Sequence, residues 1–127
     1  MVKETTNTNN FELPEEGHYP DLEIVKVIRK DIKGFILYEW HFMAPDLTEI
    51  EITLFSSQMA DLLRALKAEE PTSGKFIWDR DEVVGNHVSL NIVHAPDKKG
   101  IIRATITDVV KSDKPKKVIE REWDYDK

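Results

Sequence analysis

Two groups of basic residues, far apart in the chain, carry side chains suited to binding a polyanion. They are Arg29, Lys30 and Lys33, and Lys98, Lys99 and Arg103. Aromatic side chains that offer flat faces lie near the first group in sequence, with one imidazole among them: Phe35, Tyr38, His41 and Phe55. Cations that follow phosphates, together with rings on which bases stack, are what single-stranded nucleic-acid binding requires, and each stacked base contributes roughly 1–3 kcal/mol. These ten residues are therefore the candidate nucleic-acid-binding set, provided that folding brings them together.

Catalytic chemistry has little support in the sequence. The four histidines are scattered, with no spacing typical of a metal site or a catalytic triad. The acidic run 79–82 lacks the pattern of an EF-hand loop, and there is no glycine-rich phosphate loop or nucleophile elbow. Without cysteine, disulfides and thiolate metal ligands are excluded. The sequence thus predicts a non-enzymatic protein with no metal and no other cofactor.

The charge balance does not by itself favour nucleic acid. The net charge is −6, whereas a duplex-binding protein usually carries a basic surplus. Residues 1–16 hold one Lys and four Glu, and residues 17–111 hold 12 basic and 15 acidic groups, so each segment is net −3. The body of the protein is therefore locally basic only where folding clusters its Lys and Arg side chains.

The hydrophobic periodicity predicts five strands and one helix. Alternating or β-branched runs indicate the strands, and apolar residues at positions 59, 62, 63 and 66 indicate an amphipathic helix. The predicted strands are 20–30, 35–43, 49–55, 87–94 and 101–110, and the predicted helix is 57–69. The order β-β-β-α-β-β, in a chain of one-domain size, is that of the five-stranded OB-fold barrel. The fold class is therefore all-β with one helix.

This fold explains how distant residues meet. In an OB barrel the ligand crosses the second and third strands, between the loops that join strands 1–2 and 4–5. Those two loops carry the two basic groups. On the second strand, the parity of Glu39 and His41 places them outside, so Trp40 and Phe42 are expected in the core, with Tyr38 at the margin. Glu49 and Glu51 share the outer face of the third strand and would repel phosphate.

Both ends of the chain are polar and are predicted to be flexible. The expected organisation is an N-terminal arm (1–16), the OB domain (17–111) and a C-terminal tail (112–127) that is first basic and then acidic and aromatic. No apolar run approaches the roughly 18 residues of a membrane helix, and the N-terminus does not resemble a signal peptide. A cytoplasmic location is therefore expected.

Short motifs add a family resemblance. Gly17-His18-Tyr19, Trp40-His41-Phe42, the segment 62–66 (LLRAL) and the segment 84–88 (VGNHV) resemble small phage and prophage single-stranded DNA-binding proteins. The resemblance covers about residues 12–110. It implies an OB-fold protein that coats replication or recombination intermediates in the cytoplasm of the host cell. The acidic-aromatic tail is similar to the partner-recruiting tails of such proteins, which implies a partner-binding role for Glu122, Trp123, Asp124, Tyr125 and Asp126.

Two other readings of the same barrel remain open. One is a protein-interaction or self-assembly module, which would expose an apolar patch and form complexes insensitive to salt. The other is a barrel that binds RNA or a sugar. The sequence also leaves room for a homo-oligomer.

Overall fold

The computed structural model describes residues 13–112, which form seven strands and two short helices. The strands are β1 Gly17–Ile32, β2 Phe35–Met43, β3 Glu49–Phe55, β4 Glu69–Thr72, β5 Lys75–Ile77, β6 His87–Pro96 and β7 Ile102–Lys111. The helices are α1 Ala60–Ala65 and α2 Arg80–Val83, and a single 3-10 turn at Ser56–Gln58 precedes α1. The predicted flexible ends lie outside the described residues, except for 13–16 and 112.

A five-stranded antiparallel sheet in the order β3-β2-β1-β6-β7 makes up most of the described chain. The long β1 pairs with β6 through its first half and with β2 through its second half. Register shifts after Tyr19 and after Ile24 interrupt β1, and Asp21 has a positive φ of 54°. Such irregularities bend a strand, which allows β1 to serve both partners.

The core lies on one face of this sheet, under α1. Leu22, Leu54, Leu62 and Leu90 are among its fully buried side chains. Trp40 and Phe42 are 0% exposed, which confirms that these two rings lie in the core. Strand alternation and the burial of α1 therefore account for the core.

The predicted helix 57–69 is wrong in extent. The α-helix spans only Ala60–Ala65, because Lys67 adopts φ 62° and the backbone N–H of Ala68 donates to the carbonyl of Leu63. This is the 6→1 bond of a Schellman motif, formed here without glycine.

A small β4–β5 hairpin and α2 lie between α1 and β6, where no element was predicted from the sequence. The described residues therefore form seven strands, two more than predicted. Arg64 holds the hairpin against α1, with its Nε and Nη2 donating to Glu70 at 3.1 and 2.9 Å. Asp79 caps α2 by accepting from the backbone N–H of Asp81 at 2.7 Å. None of the helices in the range 13–112 is long and apolar enough to span a membrane.

The segment 13–16, assigned from sequence to the N-terminal arm, contacts the sheet where it is described. Leu13 packs against the core, and the backbone N–H of His94 donates to Glu16 Oε2 at 2.7 Å. The His94 ring lies 2.6 Å from the carbonyl oxygen of Pro14. These contacts lie beside β6, at one margin of the trough described next.

Candidate functional site

An open trough with a volume of about 2480 Å³ crosses the outer face of the sheet. Its lining comes from the segment 13–15, the β1–β2 turn, the β2–β3 loop, β3, the β6–β7 loop and the first residues of β7. The site residues that line it are Lys30, Lys33, Phe35, Phe55, Lys98, Lys99 and Arg103. Seven of the ten residues proposed from sequence therefore share one concave surface, although β1–β2 and β6–β7 are distant in the chain.

Tight turns fix the two loops that supply most of these cations. Lys33 and Gly34 both have positive φ, 49° and 83°, as the two central residues of a type I′ hairpin turn do. In the other loop the carboxylate of Asp97 accepts from the backbone N–H groups of Lys99 and Ile101 at 2.8 and 3.0 Å. The loops are thus held by their own hydrogen bonds, and the lysine side chains are left exposed.

Two of the five cations are already engaged by carboxylates. Lys30 Nζ lies 2.5 Å from Glu39 Oε1, and Arg103 Nε lies 2.8 Å from Asp97 Oδ2. Lys33, Lys98 and Lys99 have no ion-pair partner among residues 13–112. These three ammonium groups are therefore the ones free to meet an added anion.

The trough also carries carboxylates, and two of them, Asp46 and Glu49, lie in or beside the β2–β3 loop. Glu49 on β3 pairs in register with Met43, at the end of β2 distant from the β1–β2 turn, and Glu51 is two residues further along. With Glu15 and Asp46 they line the trough beside Asp97, so five carboxylates balance five cations. We call the part of the trough formed by the two loops its basic end, because the three lysines that are unpaired within residues 13–112 lie there and its carboxylate, Asp97, is paired with Arg103. The part near the β2–β3 loop carries Asp46 and Glu49 and is acidic.

Two phenylalanine rings lie at the basic end. The rings of Phe35 and Phe55 are 6.3 Å apart in an edge-to-face arrangement, and Phe35 is 63% exposed. The guanidinium carbon of Arg103 lies 5.5 Å from the centre of the Phe55 ring, within cation–π range. An exposed ring beside a cation is a suitable platform for a planar ligand that also carries negative charge.

Sequence reasoning missed an aliphatic rim around these rings. The exposed side chains that form it are Ile32, Ile36, Ile101 and Ile102. They stand next to the turn glycines Gly34 and Gly100, where a soluble hairpin tip is more often polar. The sequence does contain an indication of this rim: an isoleucine close to a turn glycine lies at a hairpin tip, where its side chain cannot be buried in the core.

Three of the ten proposed residues do not line the trough. Arg29 pairs with Asp31, with Nε 3.2 Å from Oδ1. Tyr38 lies on the inner face, with its ring centroid 5.2 Å from that of Trp78. His41 is on the outer face, as its parity predicted, but it is only 8% exposed.

His41 and Glu39 form a buried polar cluster beside the trough. His41 Nε2 lies 2.6 Å from Glu39 Oε2. The hydrogen bond from Lys30 lowers the pKa of Glu39, with a smaller contribution from His41, and Glu39 in turn raises the pKa of Lys30. Lys30 is thus fixed with its ammonium group on Glu39 while its side chain borders the trough.

The partner-binding tail proposed at 122–126 lies outside the described residues. No protein-family model matches the chain, and no curated protein matches its sequence.

Proposed function

We propose that this protein is an OB-fold domain that binds single-stranded DNA, without catalysis, in the trough between the β1–β2 turn and the β6–β7 loop. One observation carries the proposal. The two loops bring Lys33, Lys98 and Lys99, whose ammonium groups have no ion-pair partner among residues 13–112, to the same concave surface as the rings of Phe35 and Phe55.

The strand arrangement supports the OB assignment. The first strand is long and shared between β2 and β6, as a five-stranded barrel requires, and α1 lies between the third strand and β6. The two outer strands approach each other, since Gln58 Nε2 donates to Thr105 Oγ1 at 3.3 Å and Arg103 covers the Phe55 ring. The β4–β5 hairpin and α2 are then an insertion between the helix and the fourth barrel strand.

The binding mode follows from the chemistry of the basic end. Bases stack on the exposed face of Phe35 and on Phe55, while the three free lysines neutralise neighbouring phosphates. A duplex is disfavoured because its bases are stacked on each other and present no free faces to the rings. The isoleucine rim covers sugar and base edges and lowers the local dielectric around the contacts.

The biological role that we infer is protection of replication or recombination intermediates in the cytoplasm, with the acidic-aromatic tail recruiting partner proteins. The resemblance of the short motifs to phage single-strand binders supports this role. A ligand gripped by stacking rather than base-edge hydrogen bonds is bound with little sequence preference, which suits a protein that coats exposed strands.

Fluorescence anisotropy of a labelled oligo-dT tests the proposal. The label belongs on the DNA, because Trp40 and Trp78 pack on the inner side of the sheet. We expect binding that weakens with salt, with a log–log slope of roughly −2 for three phosphates at about −0.7 each. The triple variant Lys33→Glu, Lys98→Glu, Lys99→Glu should lose binding at moderate salt.

The matched control reverses charges away from the trough. Lys75→Glu with Lys111→Glu alters two exposed lysines on β5 and β7 that do not line it, and should bind oligo-dT within a few-fold of wild type. Absence of binding by the wild-type protein at low salt and micromolar concentration would end the proposal.

The exposed isoleucines favour one alternative, a protein-interaction module. Within residues 13–112, five of the eight large exposed apolar side chains, Phe35 among them, line this single trough, and contiguous apolar surface marks protein interfaces. A complex of this kind would persist at high salt and tolerate Lys98→Glu with Lys99→Glu. Oligo-dT would then compete poorly for the trough.

A further inference from the structure

Three potential metal ligands meet beside the trough, on the outer face of β2 and β3. His41 and Glu51 are directly opposite each other in the strand register, and Glu39 is two residues along β2. One nitrogen or carboxylate oxygen from each residue lies within 4.8 Å of the others. Glu39 and His41 are 7% and 8% exposed, so their side chains are held in place by packing.

The hydrogen bonding leaves one imidazole nitrogen free. The Glu39 carboxylate also accepts from Lys30, so its 2.6 Å contact with His41 Nε2 requires an N–H on Nε2 in the tautomer that binds a metal. The lone pair is then on Nδ1. Within residues 13–112 that nitrogen makes no hydrogen bond, and the atom it faces is Glu51 Oε1 at 4.0 Å.

His41 Nδ1 and Glu51 Oε1 are separated by a gap that a cation could occupy, and they do not contact each other directly. A separation of 4.0 Å is too long for a hydrogen bond. A tetrahedral zinc ion, with a zinc–nitrogen bond of roughly 2.0–2.1 Å and a zinc–carboxylate bond of roughly 2.0–2.2 Å, would hold the two atoms about 3.4 Å apart. The half-exposed Glu51 side chain therefore has to approach His41 by roughly 0.6 Å to share such an ion. In many metal sites a carboxylate accepts a hydrogen bond from the ring nitrogen of the histidine that does not bind the metal, and so orients the ring. Glu39 occupies that position on His41 Nε2.

We propose that a divalent transition-metal ion such as Zn²⁺ binds between His41 Nδ1 and the Glu51 carboxylate, with Glu39 as the positioning residue. With two protein ligands the ion keeps open positions, which water or a phosphate oxygen can fill. This proposal differs from the prediction made from sequence, which was that the protein binds no metal.

The site would regulate the trough, a step that rests on the proposed function. Glu51 lines the trough and Lys30 borders it. A bound dication neutralises Glu51, one of the two β3 carboxylates that line the trough and oppose phosphate, and adds positive charge. Oligo-dT should then bind more tightly when the metal is present.

Metal binding is tested first, without DNA. Zn²⁺ is titrated into the full chain in competition with a chromophoric chelator, and the imidazole nitrogens are followed by NMR. We expect Glu51→Gln to weaken Zn²⁺ binding at least tenfold. Glu49→Gln, on the same strand and face but outside the cluster, should match wild type within twofold.

The NMR signal identifies the ligand. In wild type, Nδ1 of His41 should shift, whereas the rings of His18, His87 and His94 should not. Equal affinity of wild type and Glu51→Gln, or shifts confined to the other histidines, would overturn the site.

The coupling is tested by repeating the oligo-dT anisotropy with one equivalent of Zn²⁺. Wild type should bind several-fold more tightly, and Glu51→Gln should not respond to the metal. An unchanged wild-type affinity would overturn the coupling.

The two proposals can fail separately. Zn²⁺ binding without any oligo-dT binding leaves the metal site standing and removes the DNA function. Oligo-dT binding without Zn²⁺ binding leaves the DNA function standing and removes the metal site.

Discussion

Strand β2 presents aromatic rings on both faces, and the two groups differ in what surrounds them. On the inner face Trp40 and Phe42 are fully buried, and Trp40 stacks on Trp78 with ring centroids 5.7 Å apart. Phe35, at the start of the strand, is mostly exposed and meets the Phe55 ring only at its edge. The inner rings pack against other side chains, whereas Phe35 keeps exposed ring surface for a ligand. The Phe55 ring is half-buried, with the Arg103 guanidinium over it.

This difference shows that the two faces of one sheet can serve separate purposes, one stabilising the fold and the other offering a surface to a ligand. Both sets are large, flat and apolar, and their residue types alone do not distinguish them. Position relative to the core decides which set stabilises the fold and which set is available to a partner. Substitutions on the two faces should therefore act on different measurements.

The largest effect is expected from the inner face. Phe42→Ala removes a fully buried ring and leaves a cavity, which should lower the free energy of unfolding by about 3–5 kcal/mol. Urea denaturation followed by circular dichroism measures it. A loss below about 1 kcal/mol would contradict the assignment of this face as the core.

A smaller effect, on binding rather than stability, is expected from the outer face. Phe35→Ala and Phe55→Ala should each cost roughly 1–3 kcal/mol of oligo-dT binding, about 5- to 150-fold in affinity. Phe35→Ala should barely change the urea midpoint. Ile77→Ala, an exposed apolar residue away from the trough, is the control and should bind like wild type.

The smallest effect is expected from the ion pair between Lys30 and Glu39 on the outer face of the sheet. Glu39→Gln removes the partner of Lys30, whose side chain is about half exposed, so about 1 kcal/mol of stability should be lost at pH 7. The pKa of Glu39 is lowered in the folded protein. Its stabilising contribution is therefore present above the ordinary glutamate pKa of about 4.3 and is lost as the pH falls through the lower folded value.

Stability measured against pH checks this sign. The gap between wild type and Glu39→Gln should be constant near neutrality and close in acid. A gap that widens as the pH falls would show that Glu39 is not stabilised as a carboxylate.

Sequence patterns were most informative where one local rule applied. Alternation along 35–43 and 49–55 placed these strands within their observed bounds and put Trp40 and Phe42 in the core, because burial on one face imposes a period of two. The gaps between predicted strands, at 31–34 and 95–100, located the two loops. Their convergence on one trough depends on the irregularities that bend β1 and on the contact of Arg103 on β7 with Phe55 on β3.

Other features depend on contacts that a linear pattern does not contain. The early end of α1 comes from the left-handed conformation of Lys67, a residue type that seldom marks a helix end. Tyr38 was assigned to the margin, but its ring packs on Trp78, forty residues later in the chain. The burial of His41 depends on its bond to Glu39 and on the Lys30–Glu39 pair across two strands.

The central claim is that two distant loops form one binding surface, and NMR chemical-shift mapping with oligo-dT tests it most directly. We predict that amide shifts concentrate at residues 30–36, 53–57 and 97–105. The β4–β5 hairpin and the inner face around Trp78 should stay unperturbed. Shifts centred on that hairpin, or confined to one of the two loops, would contradict the account.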